Sequence, residues 1–190
     1  MPPKCKFTRQ EVVQAALDMT RERGIGSVTA RALGERLGSS SRPIFSLFQS
    51  MQEVQREVIQ AADALYHEYL TADMEAGEYP VYKASGIAYI RFAKEEKELF
   101  KLLFMRDRSA EQVADDPNGL KPFTDIIKKN TGLSEQDAYM LHLEMWVYVH
   151  GIATMIATSY LEWHWDTISK MLTDGYEGIK ERYCGKERNK

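Results

Sequence analysis

Cysteine is scarce: Cys5 and Cys184 lie near opposite ends of the 190 residues. Two isolated thiols make neither a disulfide framework nor a zinc site. No apolar run approaches the roughly 20 residues that a bilayer crossing needs. The start, Met1-Pro2-Pro3-Lys4-Cys5-Lys6, lacks the apolar stretch of a signal peptide, so a cytoplasmic location is expected. Catalytic signatures are missing as well: no Gly-x-Ser-x-Gly elbow, no phosphate-cradling glycine loop and no Cys/His arrangement. The paired acids Glu95-Glu96 and Asp115-Asp116 are sequence neighbours, which point apart on a helix. They read as solvated charge. His142, His150 and His164 lack metal-ligand spacing with carboxylates or thiols. Neither enzyme activity, nor a cofactor, nor a metal is expected. No segment alternates apolar and polar residues as a half-buried strand does.

What the chain does have is helix signals. Hydrophobic residues make up 44% of it, ample for a core. Thr8-Arg9-Gln10-Glu11 reads as a capping box, in which the Thr oxygen accepts an amide and the Glu side chain reaches back. An apolar stripe of Val12, Val13, Ala16, Leu17 and Met19 follows, ended by Gly24 and Gly26. Thr29 caps a short helix to Leu37, and Gly38 ends it. Ser39-Ser40-Ser41 forms a turn. A third short helix is expected from about Ser41 to Phe48, with Pro43 in its first turn, where a missing N–H costs nothing. Ser50-Met51-Gln52-Glu53 opens a long helix to about Ala72. Further helices are expected over about 81–92, 94–106, 122–130, 134–160 and 166–183, with 109–119 as a loop. The fold class is therefore all-α, with about nine helices.

Charge is distributed unevenly. Residues 1–50 hold eight basic side chains (Lys4, Lys6, Arg9, Arg21, Arg23, Arg31, Arg36, Arg42) against four acidic ones, a net +4, although the whole chain is −3. The rest is therefore −7. A basic head on an acidic body suits a protein that touches DNA at one end. Chance clustering on a solvated face is the plainer alternative.

Two short helices joined by a tight turn form a helix-turn-helix, whose second helix enters the major groove. Ala32, Leu33, Leu37, Ile44 and Phe48 supply its small apolar core. Gly34, costly inside a helix, fits where two helices cross closely. The outward positions are Ser40, Ser41, Arg42 and Ser46. Arg42 alone among them can read guanine in bidentate fashion; the alternative is a solvated surface arginine.

The stretch from Thr29 to Phe48, Thr-Ala-Arg-Ala-Leu-Gly-Glu-Arg-Leu-Gly-Ser-Ser-Ser-Arg-Pro-Ile-Phe-Ser-Leu-Phe, resembles the helix-turn-helix of the TetR family. The preceding helix ending at Gly24 and the start at Ser50 to Val54 resemble it too. The resemblance covers about residues 6–66, taken as a DNA-binding domain with its motif at 29–48. Residues 67–190 are left as a helical ligand-binding and dimerisation domain. The resemblance implies DNA contacts from Thr29, Ser39, Ser40, Ser41, Arg42, Pro43, Phe45 and Ser46, with Lys4 and Lys6 nearby. It also implies a homodimer, a palindromic operator and release by a small molecule. Two positions depart from the family pattern. Phe45 stands where a phosphate-bonding tyrosine is usual, and Met51 where a lysine often is. Lys4, Lys6 and Arg9 are the groups placed to compensate.

Further on, Trp146-Val147-Tyr148-Val149-His150-Gly151 is similar to a Trp-x-x-x-His-Gly signature of one group of TetR-type C-terminal domains. Trp146 and His150 share a helix face. Tyr89, Phe92, Phe104, Tyr139, His142, Trp146 and His150 are the candidate lining of an apolar effector cavity. For each aromatic alone, plain core packing is the competing reading, and His150 is equally a core histidine. The expected function is a ligand-released, homodimeric repressor. Its rival is an all-helical small-molecule-binding protein or enzyme with an incidental helix-turn-helix.

Overall fold

The computed structural model describes residues 7–107 and 117–187. The fold is all-α. Nine α-helices occur among the described residues: α1 Arg9–Arg23, α2 Ala30–Arg36, α3 Arg42–Phe45, α4 Met51–Ala76, α5 Val81–Glu95, α6 Lys97–Phe104, α7 Pro117–Thr131, α8 Glu135–Ala157 and α9 Trp165–Glu187, with one 3-10 turn at Ile25–Ser27. No helix among the described residues is long and apolar enough to cross a membrane.

The chain divides into two compact units. One holds the described residues through Glu68 together with Glu95–Arg106. The other holds Tyr69–Lys94 and the described residues from Asp107 onward. In the first, α1 packs on α2 and α6. Its core includes Val12, Ala16, Leu33, Ile44, Phe48, Val54, Val58, Leu99 and Phe100. In the second, α8 packs on both α7 and α9. Phe92, Ile127, Leu141, Ile152 and Ile168 are buried there.

Local chemistry explains several helix starts. Thr8 forms the full capping box with Glu11, and the Ser134 oxygen accepts the Asp137 amide. At α4 the box is half made. Ser50 accepts the Glu53 amide, but the Glu53 carboxylate takes the Gln49 amide instead.

Several boundaries differ from expectation: α4 runs on to Ala76 and α9 to Glu187, and α3, α7 and α8 differ as well. α3 stops at Phe45, not Phe48. The Ser46 hydroxyl donates to the Pro43 carbonyl at 2.6 Å, a local bond that competes with continued helix. α7 begins at Pro117, five residues early, and carries Pro122 inside it. α8 ends at Ala157, not near Tyr160. There Ser159 adopts φ +57°, and the amides of Ser159 and Tyr160 bond the carbonyls of Ile156 and Met155. That is a Schellman termination with serine in the place usual for glycine.

Candidate functional site

In the first unit, α2 and α3 form the helix-turn-helix. The Thr29 oxygen accepts the Ala32 amide at 3.2 Å and caps α2. At the other end Gly38 adopts φ +63°. The Gly38 and Ser39 amides close onto the Glu35 and Gly34 carbonyls, another Schellman motif. It turns the chain sharply enough that the backbone of 39–41 comes to lie against Gly34. A Cβ at Gly34 would sit 2.9 Å from the Ser40 carbonyl carbon and 3.0 Å from the Ser41 nitrogen. The close crossing is thus between a helix and the turn that follows it, not between two helices as the sequence suggested.

The outward surface of this motif is polar and cationic. Ser40, Arg42, Phe45 and Ser46 are exposed, Ser39, Ser41 and Pro43 are half-buried, and Ile44 faces the core. Thr29 is exposed beside its cap. The arginines of this unit divide into two groups. Arg9 donates to the Leu47 carbonyl and to the carboxylates of Glu53 and Glu57, and lies 4.2 Å over the Phe48 ring. Arg21 holds Glu96, Arg31 holds Glu35 and Arg36 holds Glu22. Arg42, like Arg23 and Arg56, has no ion pair among the described residues, and of these three only Arg42 lies on α3. Arg9 was expected to be available to phosphate. Instead it ties the start of α1 to the end of the recognition segment and the first turns of α4. Lys4 and Lys6 lie outside the described residues.

In the second unit, α5 and α8 bring together two tyrosine–histidine pairs. Tyr82 Oη and His142 Nδ1 share a hydrogen bond at 3.0 Å, and Tyr89 Oη and His150 Nδ1 share one at 2.9 Å. Each imidazole stacks on a further ring: His142 on Phe123 at 5.2 Å and His150 on Trp146 at 5.4 Å. His142 is 8% exposed, and burial pushes its pKa down to about 4. Burial also lowers that of His150. At neutral pH the cluster therefore offers uncharged hydrogen-bonding groups among aromatic faces.

Of the proposed lining residues, Tyr89, His150 and Trp146 do converge, and His142 sits in the neighbouring pair. Phe92 is buried edge-on against Tyr69. Trp146 is 46% exposed and Tyr139 38%. Phe104 falls in the other unit, packed against Tyr66 and Phe100. Phe123 was missed, because a single phenylalanine on a short amphipathic helix carries no signal of its own. Among the described residues no group of three or more His, Cys, Asp or Glu side chains could hold a metal.

Residues 82–174 match the family described as tetracyclin repressor-like, C-terminal domain. The second half of the chain is thus similar to a TetR-type C-terminal domain. Among solved structures, the fold is similar to that of a TetR variant from Acinetobacter baumannii AYE in complex with minocycline. The identity is 18%, the TM-score 0.50, and the match covers 96% of this chain and 98% of that one. No curated protein matches in sequence. A helix-turn-helix, α2 and α3, precedes the matched domain.

Proposed function

We propose that the protein is a homodimeric, sequence-specific DNA-binding repressor released from its operator by a small, mostly apolar effector. One observation carries the DNA-reading part. On the helix-turn-helix surface, Arg42 is exposed and holds no carboxylate among the described residues, whereas Arg9, Arg21, Arg31 and Arg36 each hold one. A guanidinium left uncommitted on a recognition helix is available for the O6 and N7 acceptors of guanine. Lys4 and Lys6 are proposed to meet phosphate, and Thr29 and the 39–46 segment to seat in the groove.

Dimerisation is supported by the outer face of α8 and α9. Leu143, Val147, Tyr148 and Ile179, with Glu144, line an open groove there. Val147 is 63% exposed. A second copy covering this face would make a four-helix bundle, and its two reading heads would meet a palindromic site. Effector binding is supported by the neutral Tyr–His pairs of α5 and α8, which suit an uncharged aromatic compound held by one or two hydrogen bonds. Such a compound weakens operator binding only by its differential affinity for the two arrangements.

The test begins with selection of operator DNA from a random pool by the purified protein. Arg42→Ala should then bind the selected site more weakly by about 1–3 kcal/mol. Unchanged affinity in that variant would remove the base-reading role. A monomer mass by light scattering at micromolar concentration would remove the dimer.

A further inference from the structure

We propose that Phe45 reads the C5-methyl group of a thymine in the major groove, beside the base read by Arg42. The inference rests on the DNA-reading function proposed above and adds a specificity-determining residue to it.

Arg42, Phe45 and Ser46 stand at i, i+3 and i+4, the spacing that puts side chains on one helix face. The structure agrees: all three are exposed while Ile44 is fully buried. Phe45 is 48% exposed at the last position of α3. Single exposed apolar residues are ordinary on protein surfaces. This one is set apart by its neighbours on the same face. Ser40, Ser41 and Ser46 are short, and the Ser46 hydroxyl already donates its proton to the Pro43 carbonyl at 2.6 Å. Beyond the arginine, the longest-reaching group on this surface is therefore an unsubstituted phenyl ring.

A phenyl ring has no hydroxyl to give a phosphate, and pressing it on phosphate would strip water from an anion without replacement. The groove floor offers it one apolar group that projects from the base edges, the thymine methyl, among donors and acceptors and flat C–H edges. Side chains at i and i+3 have Cβ atoms about 5–6 Å apart, and base pairs rise about 3.4 Å per step. The thymine should therefore lie one or two steps from the guanine read by Arg42, on either strand.

The experiment uses the full-length protein and an operator enriched from a random pool. Each thymine of a half-site is replaced in turn by deoxyuridine, which removes the methyl and changes nothing else. One position should lose about four-fold in affinity, the worth of one buried methyl at ~0.8 kcal/mol. At that position, cytosine in place of thymine should bind worse than 5-methylcytosine. In Phe45→Ala the penalty for deoxyuridine should disappear, while sensitivity at the guanine remains. A scan in which no thymine methyl matters, or in which the penalty survives in Phe45→Ala, overturns the proposal and leaves DNA reading intact. The 5-methylcytosine comparison uses wild-type protein, so equal binding of the two bases overturns the proposal even if Phe45→Ala fails to fold, and Phe45→Leu then serves as the second variant, expected to reduce the deoxyuridine penalty. Failure of the pool to enrich any sequence overturns the DNA-reading function and this inference together.

Discussion

The two compact units are both helical and both carry ion pairs, yet the chemistry around their candidate sites differs. In the unit with the helix-turn-helix, charge makes the long-range ties: Arg9 to Glu53 and Glu57, Arg21 to Glu96, Arg36 to Glu22. These pairs are largely at the surface, where each is worth little alone. Their effect is to commit several cations to the fold, while Arg42 on α3 holds no carboxylate among the described residues. In the other unit the ties between α5 and α8 are neutral phenol–imidazole bonds among stacked rings. The first chemistry suits the DNA-reading role proposed above, and the second suits the proposed uncharged effector.

The largest test of the comparison is to truncate one buried aromatic in each unit. Phe100 and Phe92 are both fully buried. Phe100 lies in α6 against Phe104, in the unit of the helix-turn-helix; Phe92 lies against Tyr69 in the other. Each change to alanine should cost about 3–5 kcal/mol. Hydrogen exchange separates them. Phe100→Ala should speed exchange in residues 9–23, and Phe92→Ala in residues 141–157. Equal acceleration of both regions by both variants would mean that the two units open as one.

A second test addresses the neutral interior. His142 is held below its ordinary 6.5, at about 4, by burial. Its Nδ1 meets Tyr82, whose own pKa burial raises, and its ring lies flat on Phe123. Between these two values the unfolded chain takes up a proton that the folded chain refuses. Stability is therefore complete above about pH 6.5 and falls as the pH drops towards 4. The loss should reach about 2–3 kcal/mol. Thermal melts from pH 7.5 to 4.5 should show it, and His142→Phe should flatten the curve between pH 6.5 and 4.5. A wild-type slope that survives in that variant would assign the effect to other groups.

How far the sequence carried follows from what kind of physics set each feature. The caps at Thr8, Thr29 and Ser134 were legible because a cap is decided by residues within four positions of each other. The helix-turn-helix was legible for the same reason, down to Gly34 and Gly38. The end of α8 was not, since Ser159 adopts a conformation that the sequence would signal only with glycine or asparagine. Nor was the early start of α7, because a polar Asp-Pro-Asn-Gly stretch reads as loop. In the candidate site, single residues such as Tyr89 and His150 were visible, but not their pairing. The partners lie about sixty positions apart, and only packing decides which ring meets which. The grouping of Phe104 with Tyr66 is of that kind too.

The finest test sets one helical glycine of each unit against the other. Gly34 in α2 and Gly86 in α5 both lie inside helices, where alanine is intrinsically better by about 1 kcal/mol. Their surroundings reverse the sign. A Cβ at Gly34 would meet backbone atoms at 2.9–3.1 Å. Backbone pinned by the Schellman bonds of Gly38 and Ser39 cannot step aside as a side chain can. Gly34→Ala should therefore be destabilising by about 1–3 kcal/mol, the usual cost of overpacking, and should weaken operator binding by displacing the turn before Arg42. At Gly86 the nearest atoms are side-chain carbons of Val149 and Leu172 at 3.5 and 3.6 Å, ordinary contact that a methyl group completes. Gly86→Ala should therefore be neutral or stabilising, by up to about 1 kcal/mol, and should leave operator affinity alone. Urea titrations of the two variants, compared at equal slope, check both signs. If Gly34→Ala proved as stable as Gly86→Ala, the turn would be free to move, and the recognition helix would not be set by the close fit of the 39–41 backbone on α2.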